Sequence, residues 1–375
     1  MEFIRVKKHE LERLAETMFA RKGSQVAITP WRARSQASNP HARNDDVVMI
    51  YARDDNGYLA GFTGLLPGLL NGREDLPRIH WVSCWYADPA YRGGKVAVPF
   101  LNDSLEITGS RIIHTDINAR TASYLERLGD FSIRKRDGVL LRLRSSLHTR
   151  AMYLKPVSAR NRFLRTLAAA GILKLVDALI NVSRKRGQGS FLLQQITGVS
   201  LHTFDFPSDD QLDYIRQKAR REFIRPDRKL IEWWMAAGWV TKKEAGNASL
   251  ETRYYFSAFA GDFHFTWLEV DGKEGRLGIA LLNFRDGTVK TPYLWYEKEK
   301  EDAFFTSLYH FILSDKKNRV VLTFHEAFAA FIQKYSDTYL RAEPKTRYSA
   351  ITTLLASAGG QDLRMQDGNG VNLFT

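Results

Sequence analysis

The stretch from Ile79 to Thr108 constrains this chain more than any other part of it. Ile79 to Ala87 is rich in aromatic and β-branched residues and reads as a strand. Asp88-Pro89 breaks it, Gly93-Gly94 follow, and Val98, Leu101 and Leu105 then share one face of a helix from about Val96 to Thr108. Pro99 fits the first turn of that helix, where a backbone N–H has no helical partner to lose. A strand, a tight turn and a glycine loop that opens a helix gather free N–H groups and the positive end of a helix dipole at one point. Arg92 and Lys95 add positive charge, and the glycines let a ligand approach the backbone. The segment is built like a pyrophosphate cradle.

The elements around it alternate. His9 to Arg21 has helical spacing. Val47 to Arg53 and Tyr58 to Leu66 form a hairpin about Asp54-Asp55-Asn56-Gly57, and Pro67 to Pro77 reads as a loop. Arg111 to Thr115 is a strand, Arg120 to Leu128 a helix, and Phe131 to Leu143 a closing strand or hairpin. The later part repeats this general order. Helices are expected at Asp209 to Phe223 and Asp227 to Ala237. Strands are expected at Thr252 to Ala260, Phe263 to Val270, Arg276 to Phe284 and Thr288 to Tyr296. A helix at Glu301 to Leu313, a strand at Arg319 to Thr323 and a helix at Glu326 to Lys334 follow. A chain of 375 residues suits two domains. The divisions drawn are 1–148, a basic helical linker at 149–200, and 201–375.

With Cys84 as its one cysteine, the chain forms no internal disulfide, which points to the cytoplasm. No stretch reads as a signal peptide or a membrane span. A net charge of +13 favours an anionic partner without choosing one. No metal-ligand spacing and no Ser-His-Asp signature occur.

The run Asp88-Pro89-Ala90-Tyr91-Arg92-Gly93-Gly94-Lys95-Val96-Ala97 resembles the acyl-CoA loop of the general N-acetyltransferase (GNAT) superfamily. Lys95 stands where that pattern has its first glycine. A second element, Asn118, Ala122 and Leu125-Glu126-Arg127-Leu128-Gly129-Asp130-Phe131, resembles the family's later helix, with Leu125 at the position of its usual tyrosine. The resemblance covers residues 5 to 145. It implies an α+β fold, a GNAT-like mixed central sheet flanked by helices, and tandem GNAT-like domains of which the second lacks the loop. It also implies acyl transfer from acetyl-CoA or another acyl-CoA to an amine. Cys84, Trp85 and Tyr86 would run along the pantetheine arm, Arg92, Gly93, Gly94, Lys95, Val96 and Ala97 would hold the pyrophosphate, and Asn118 would complete the cofactor site. Tyr124 stands in for the usual tyrosine as proton donor to the leaving thiolate, and His80 is a candidate base beside Asp116. No metal is implied.

For the acceptor, the aromatics of the second half (Trp233, Trp234, Trp239, Tyr254, Tyr255, Trp267, Tyr293, Trp295 and Tyr296) suggest an amino sugar or glycan precursor, against the plainer reading of core packing. The basic, partly apolar stretch 155–186 suits either packing between the halves or a peripheral contact with an anionic membrane. Its single interleaved aromatic, Phe163, argues against nucleic acid. The competing functions are aminoacyl transfer from aminoacyl-tRNA and a scaffold with no catalysis.

Overall fold

A computed structural model describes residues 1–21, 23–76, 78–91, 94–143, 198–236, 238, 240–242 and 253–370. The linker expected at 149–200 lies outside these residues but for its last three, as do Arg92, Gly93 and Trp239.

The first half runs β1 (Glu2–Lys7), α1 (Lys8–Ala20), α2 (Pro30–Ala37), β2 (Val47–Arg53), β3 (Leu59–Leu69), β4 (Arg78–Ala87), α3 (Ala97–Thr108), β5 (Ile112–Ile117), α4 (Ala119–Leu128) and β6 (Phe131–Leu143). The second runs β7 (Val199–Phe204), α5 (Asp209–Lys218), α6 (Arg228–Ala236), then two-residue strands β8 (Thr241–Lys242) and β9 (Phe259–Ala260). It continues with β10 (Phe263–Gly272), β11 (Gly275–Arg285), β12 (Thr288–Tyr296), α7 (Glu301–Ser314), β13 (Val320–Thr323), α8 (Glu326–Gln333), β14 (Tyr339–Thr352) and α9 (Thr353–Ser357). Leaving out β8, β9 and α9, the two halves have the same order.

One sheet joins them, in the order β1-β2-β3-β4-β5-β14-β6-β13-β12-β11-β10-β7. That order is a palindrome about the β14–β6 pair. The last strand of each half has crossed to the other side: β14 pairs antiparallel with β5, and β6 pairs antiparallel with β13. Between them β6 and β14 pair from Tyr339↔Leu143 to Thr352↔Phe131. Helices cover both faces. On one face, α1 and α2 pack on Met49, Tyr51, Phe62 and Tyr86, and α5 and α6 pack on Trp81, Trp267, Tyr293 and Trp295. On the other, α3 and α4 bury Phe100, Leu101 and Leu125, while α7 and α8 bury Phe304, Phe305, Leu308 and Phe328. Each helix presents one apolar stripe, which is what a helix covering a sheet needs.

Three expectations need correcting. Residues 253–258 are not strand, and only Phe259–Ala260 at the end of the expected stretch is. Arg253 spends its guanidinium on the carbonyls of Met18, Phe19, Arg21 and Ser24, and its own carbonyl accepts from Val26 N–H, so this segment is a strap over the end of α1. Pro67 and Gly68 belong to β3 rather than to a loop. They lie past Gly64, the last β3 residue paired with β2, so the missing proline N–H costs that ladder nothing. The helix expected to reach Phe223 ends at Lys218 and continues as a short 3-10 turn, Ala219–Arg221.

Candidate active site

Strands β4 and β5 run parallel but pair only over His80–Val82 and Ile112–His114. Beyond that they part. At the parting, β4 bulges: Phe62 faces Tyr86 and Gly64 faces Ser83, so Cys84 and Trp85 oppose the single residue Thr63. Cys84 takes φ 53°, a left-handed conformation that costs a non-glycine residue energy. The bulge frees the edge of β4 facing β5, and a cavity of about 370 Å³ opens there. Val82, Trp85, His114, Asn118 and Thr121 line it toward α3 and α4, and Arg32, Cys84, Thr115, Asp116, Phe256 and Ser257 complete its walls. The cavity passes between the two strands.

Its wall chemistry is unusual. Arg32 is 2% exposed, and its Nη1 donates to the Tyr254 hydroxyl at 3.3 Å. That hydroxyl lies 3.6 Å from Cys84 Sγ. Burial pushes the Cys84 thiol up, with Arg32 and Tyr254 pulling the other way. His114 is 3% exposed, burial alone pushes it down to about 3, and its Nε2 has no hydrogen-bond partner among the described residues. Trp85 Nε1 and Thr115 Oγ1 are likewise buried without partners. Asp116, with φ 57°, lies 3.3 Å from Arg347 Nε.

At the end of β4, Asp88 accepts from Ala90 N–H and from the Tyr86 hydroxyl, fixing the turn. Gly94 has φ 91°, a conformation glycine holds without strain. Val96 is buried, Lys95 is exposed, and no side chain caps the start of α3. In its first turn Val98 N–H donates to the Gly94 carbonyl at 3.3 Å, and Pro99 has no N–H to donate. Asn118 caps α4, its side chain accepting from Thr121 N–H at 2.9 Å.

The structure thus brings Cys84, Trp85 and Asn118 to the cavity. Tyr86 faces the other way, against Phe62 and the α1–α2 side. Leu125 is fully buried, and Tyr124, one helical step round, is half-buried beside the core under α3 and α4; it does not line the cavity. His80 lies on the paired part of β4, opposite Pro67 and Ile112, and is also away from the cavity. Burial, helped by Arg78, pushes His80 down to about 4, with Asp46 opposing. His114, Thr115 and Arg32 were not singled out from sequence. His114 and Thr115 sit in the strand that ends in Asp116-Ile117-Asn118, and only the parting of β4 and β5 marks them.

The second half repeats the bulge. Leu281 faces Tyr293 and Asn283 faces Lys290, so Thr291 and Pro292 occupy the places of Cys84 and Trp85, and Leu294 the place of Ala87. Here too the parallel pairing is short, Thr288–Lys290 with Val320–Leu322. This second parting, however, is filled by the chain itself. Gln366 Nε2 donates to the Leu294 carbonyl at 2.9 Å, its Oε1 accepts from Leu294 N–H at 3.4 Å, and Gly368 N–H donates to the Pro292 carbonyl at 2.8 Å. The Thr291 and Thr323 hydroxyls close it at 2.6 Å.

The second-half aromatics are mostly core. Trp233, Trp234, Tyr254, Trp267, Tyr293 and Trp295 are buried, and Trp234, Tyr293, Trp295 and Trp267 form one continuous stack. Tyr255 is 66% exposed. No group of three or more His, Cys, Asp or Glu able to hold a metal occurs among the described residues, and no described helix is long and apolar enough to cross a membrane.

No protein-family model matches the chain, and no curated protein does. Some solved structures are similar to the chain at low identity. A tandem GNAT protein from the clavulanic acid biosynthesis pathway is 12% identical, over 94% of this chain and 98% of that one, with a TM-score of 0.46. A GCN5-related N-acetyltransferase from Sphaerobacter thermophilus is 12% identical, over 93% and 94%, with a TM-score of 0.44. One from Kribbella flavida is 11% identical, over 93% and 70%, with a TM-score of 0.43. Likeness at this level assigns no residue and no substrate. The fold rests on the chain's own evidence, a repeated order of elements, a palindromic sheet and two matching bulges. The protein has an α+β fold in which two halves of the same element order share one mixed sheet of twelve strands.

Proposed function

We propose that the first half is an acyltransferase that moves an acyl group from acyl-CoA to an amine. The observation that carries this reading is the contrast between two matching partings of the sheet, one open at β4–β5 and one filled by Gln366 at β12–β13. In the filled one, a primary amide bonds the N–H and C=O of Leu294, and a backbone N–H bonds the carbonyl of Pro292. By the internal two-fold, the matching groups on the open side are Ala87 N–H and C=O and the Trp85 carbonyl. The amides of a pantetheine arm would bond there, beside Cys84 and Tyr86. Arg92, Gly93, Gly94, Lys95, Val96 and Ala97 would hold the pyrophosphate at the start of α3, and Asn118 would flank the arm.

Acyl transfer needs a neutral amine near the thioester carbon, donors to the oxyanion, and a route for the amine proton. The donor would enter from the α3–α4 side and the amine from the side of Arg32, Cys84 and Ser257. Tyr124 and His80 stay in this reading as proton carriers acting through intervening groups, since neither lines the cavity. The acceptor is read as a small amine. An amino sugar or glycan has less support, because most of the aromatics that suggested it are packed in the core.

The test is a thermal-shift titration with acetyl-CoA, with CoA and adenosine 3′,5′-bisphosphate as controls. Ligand at a hundred times its dissociation constant adds about 2.7 kcal/mol. A saturable shift at one site per chain is expected. No shift at millimolar acetyl-CoA would remove the acyl-CoA reading and turn attention to aminoacyl-tRNA or a scaffold role.

A further inference from the structure

The internal two-fold also compares the walls of the two partings residue by residue. Val82 pairs with His114 in the open one, and its counterpart Val289 pairs with Val321 in the closed one. Val321 is fully buried among apolar neighbours. The fold therefore accepts a valine at this position, and the open cavity has an imidazole instead. That choice costs energy. His114 is 3% exposed, and its Nε2 is buried without a hydrogen-bond partner among the described residues, a state that destabilises a protein by about 1–3 kcal/mol per group. The ring is wedged between Trp85, at 5.1 Å, and Phe131, at 5.8 Å, on the cavity wall next to the bulge.

We propose that His114 is the side-chain hydrogen-bond donor to the reacting carbonyl oxygen, an inference that rests on the acyltransferase reading. In the step, the amine nitrogen attacks the thioester carbon and the carbonyl oxygen becomes an oxyanion, held by the Nε2–H of a neutral imidazole. The oxyanion collapses, the C–S bond breaks, and the amine proton leaves with the CoA thiolate. His114 keeps its own proton throughout. A buried ring among aromatics suits this role better than that of a base, because burial holds it neutral at any working pH, and no charged neighbour contributes to that shift. Cys84, Asp116 and Arg32 are the ionisable groups on the same cavity walls. A neutral histidine acting as electrophile has precedent in enzyme chemistry.

The experiment compares His114→Val and His114→Gln with the full-length protein. His114→Val installs the residue that the second half already buries, so it should fold with unchanged or higher stability and bind acetyl-CoA unchanged. Its kcat should fall about 10²–10³-fold, the cost of losing one oxyanion donor, with KM little altered. His114→Gln, which keeps an N–H donor, should recover part of the loss. The wild-type kcat should show no histidine inflection between pH 5 and 8. Independently of turnover, the ¹⁵N resonances of His114 should report a neutral ring from pH 5 to 8 and shift when acetyl-CoA binds. Binding of acetyl-CoA with no change at His114, or full kcat in His114→Val, overturns the inference and leaves the acyltransferase reading standing. Absence of acetyl-CoA binding overturns both.

Discussion

Replacing Gln366 with alanine tests how the second parting of the sheet is closed. Its side chain makes three bonds, two to Leu294 and one from Nε2 to Glu222 Oε1 at 2.8 Å. Glu222 is 7% exposed and also accepts from Trp295 Nε1 at 3.1 Å. Burial pushes its carboxyl up from 4.5 to about 7, while Gln366 and Trp295 pull it back. Because the folded state holds this proton more tightly than the unfolded chain, the cost that Glu222 places on folding is absent below pH 4.5 and grows as pH rises to about 7. The gap is worth about 3 kcal/mol at about 1.36 kcal/mol per pKa unit. Gln366→Ala removes one of the two donors that steady the charged form, so the carboxyl climbs further. At pH 5.5, where Glu222 is protonated, the loss should be about 2–3 kcal/mol, near 1 kcal/mol for each neutral bond. At pH 8.5 it should be greater by about 1–2 kcal/mol, since bonds to a charged acceptor are stronger. Urea unfolding followed by tryptophan fluorescence at both pH values measures this. A loss below about 1 kcal/mol, or the same loss at both pH values, would refute the reasoning.

Other outcomes follow from the same geometry. Gly138→Ala would drive its Cβ into the Thr323 carbonyl and to 2.7 Å from Phe324 Cδ1, with Thr323 held by its pairing with Val139 and Phe324 by its N–H bond to Asp367, and should lower stability by about 2–3 kcal/mol or more in thermal melts. Val321→His would copy the His114 position into a parting with no cavity, and should cost about 1–3 kcal/mol; a neutral effect in urea would undercut the claim that the fold prefers valine there. Cys84 is half-buried with its thiol pushed up by burial, so its reaction with a maleimide at pH 7.5 should be at least about tenfold slower than in urea-unfolded protein, and slower again with saturating acetyl-CoA. Equal rates in folded and unfolded protein would mean that the bulge does not hold the thiol as described.

The sequence by itself determined the local elements around Ile79 to Leu128, because strand, Asp-Pro turn, glycine loop and amphipathic helix are written in neighbouring residues. It gave the hairpin about Asn56-Gly57 and the general repetition of order between the halves. It did not reveal β1, α2 or β14. The β14 run Leu340-Arg341-Ala342-Glu343-Pro344-Lys345-Thr346-Arg347 is polar and carries a proline, so it has little strand signal of its own; the long pairing with β6 makes it a strand. Likewise, nothing local says that the last strand of each half crosses to the other side, since the pairing partners, such as Val320 with Arg142 and Tyr348 with Ile117, lie far apart in the chain. Asn71 and Trp233 illustrate the same dependence, bonding across the halves to the Glu222 and Ser35 carbonyls.

The site divides the same way. The turn and helix start after Asp88 were legible because such signals are local. His114, Thr115 and Arg32 were not, because a histidine inside a strand looks the same whether its neighbours pair or part. Only the tertiary structure decided that β4 and β5 separate after Val82 and His114 with a cavity between them, and that the chain's own Gln366 fills the matching parting. The physical reason is that a strand edge becomes a binding surface only when its hydrogen-bond groups have lost their partners, and which groups lose them depends on the whole sheet.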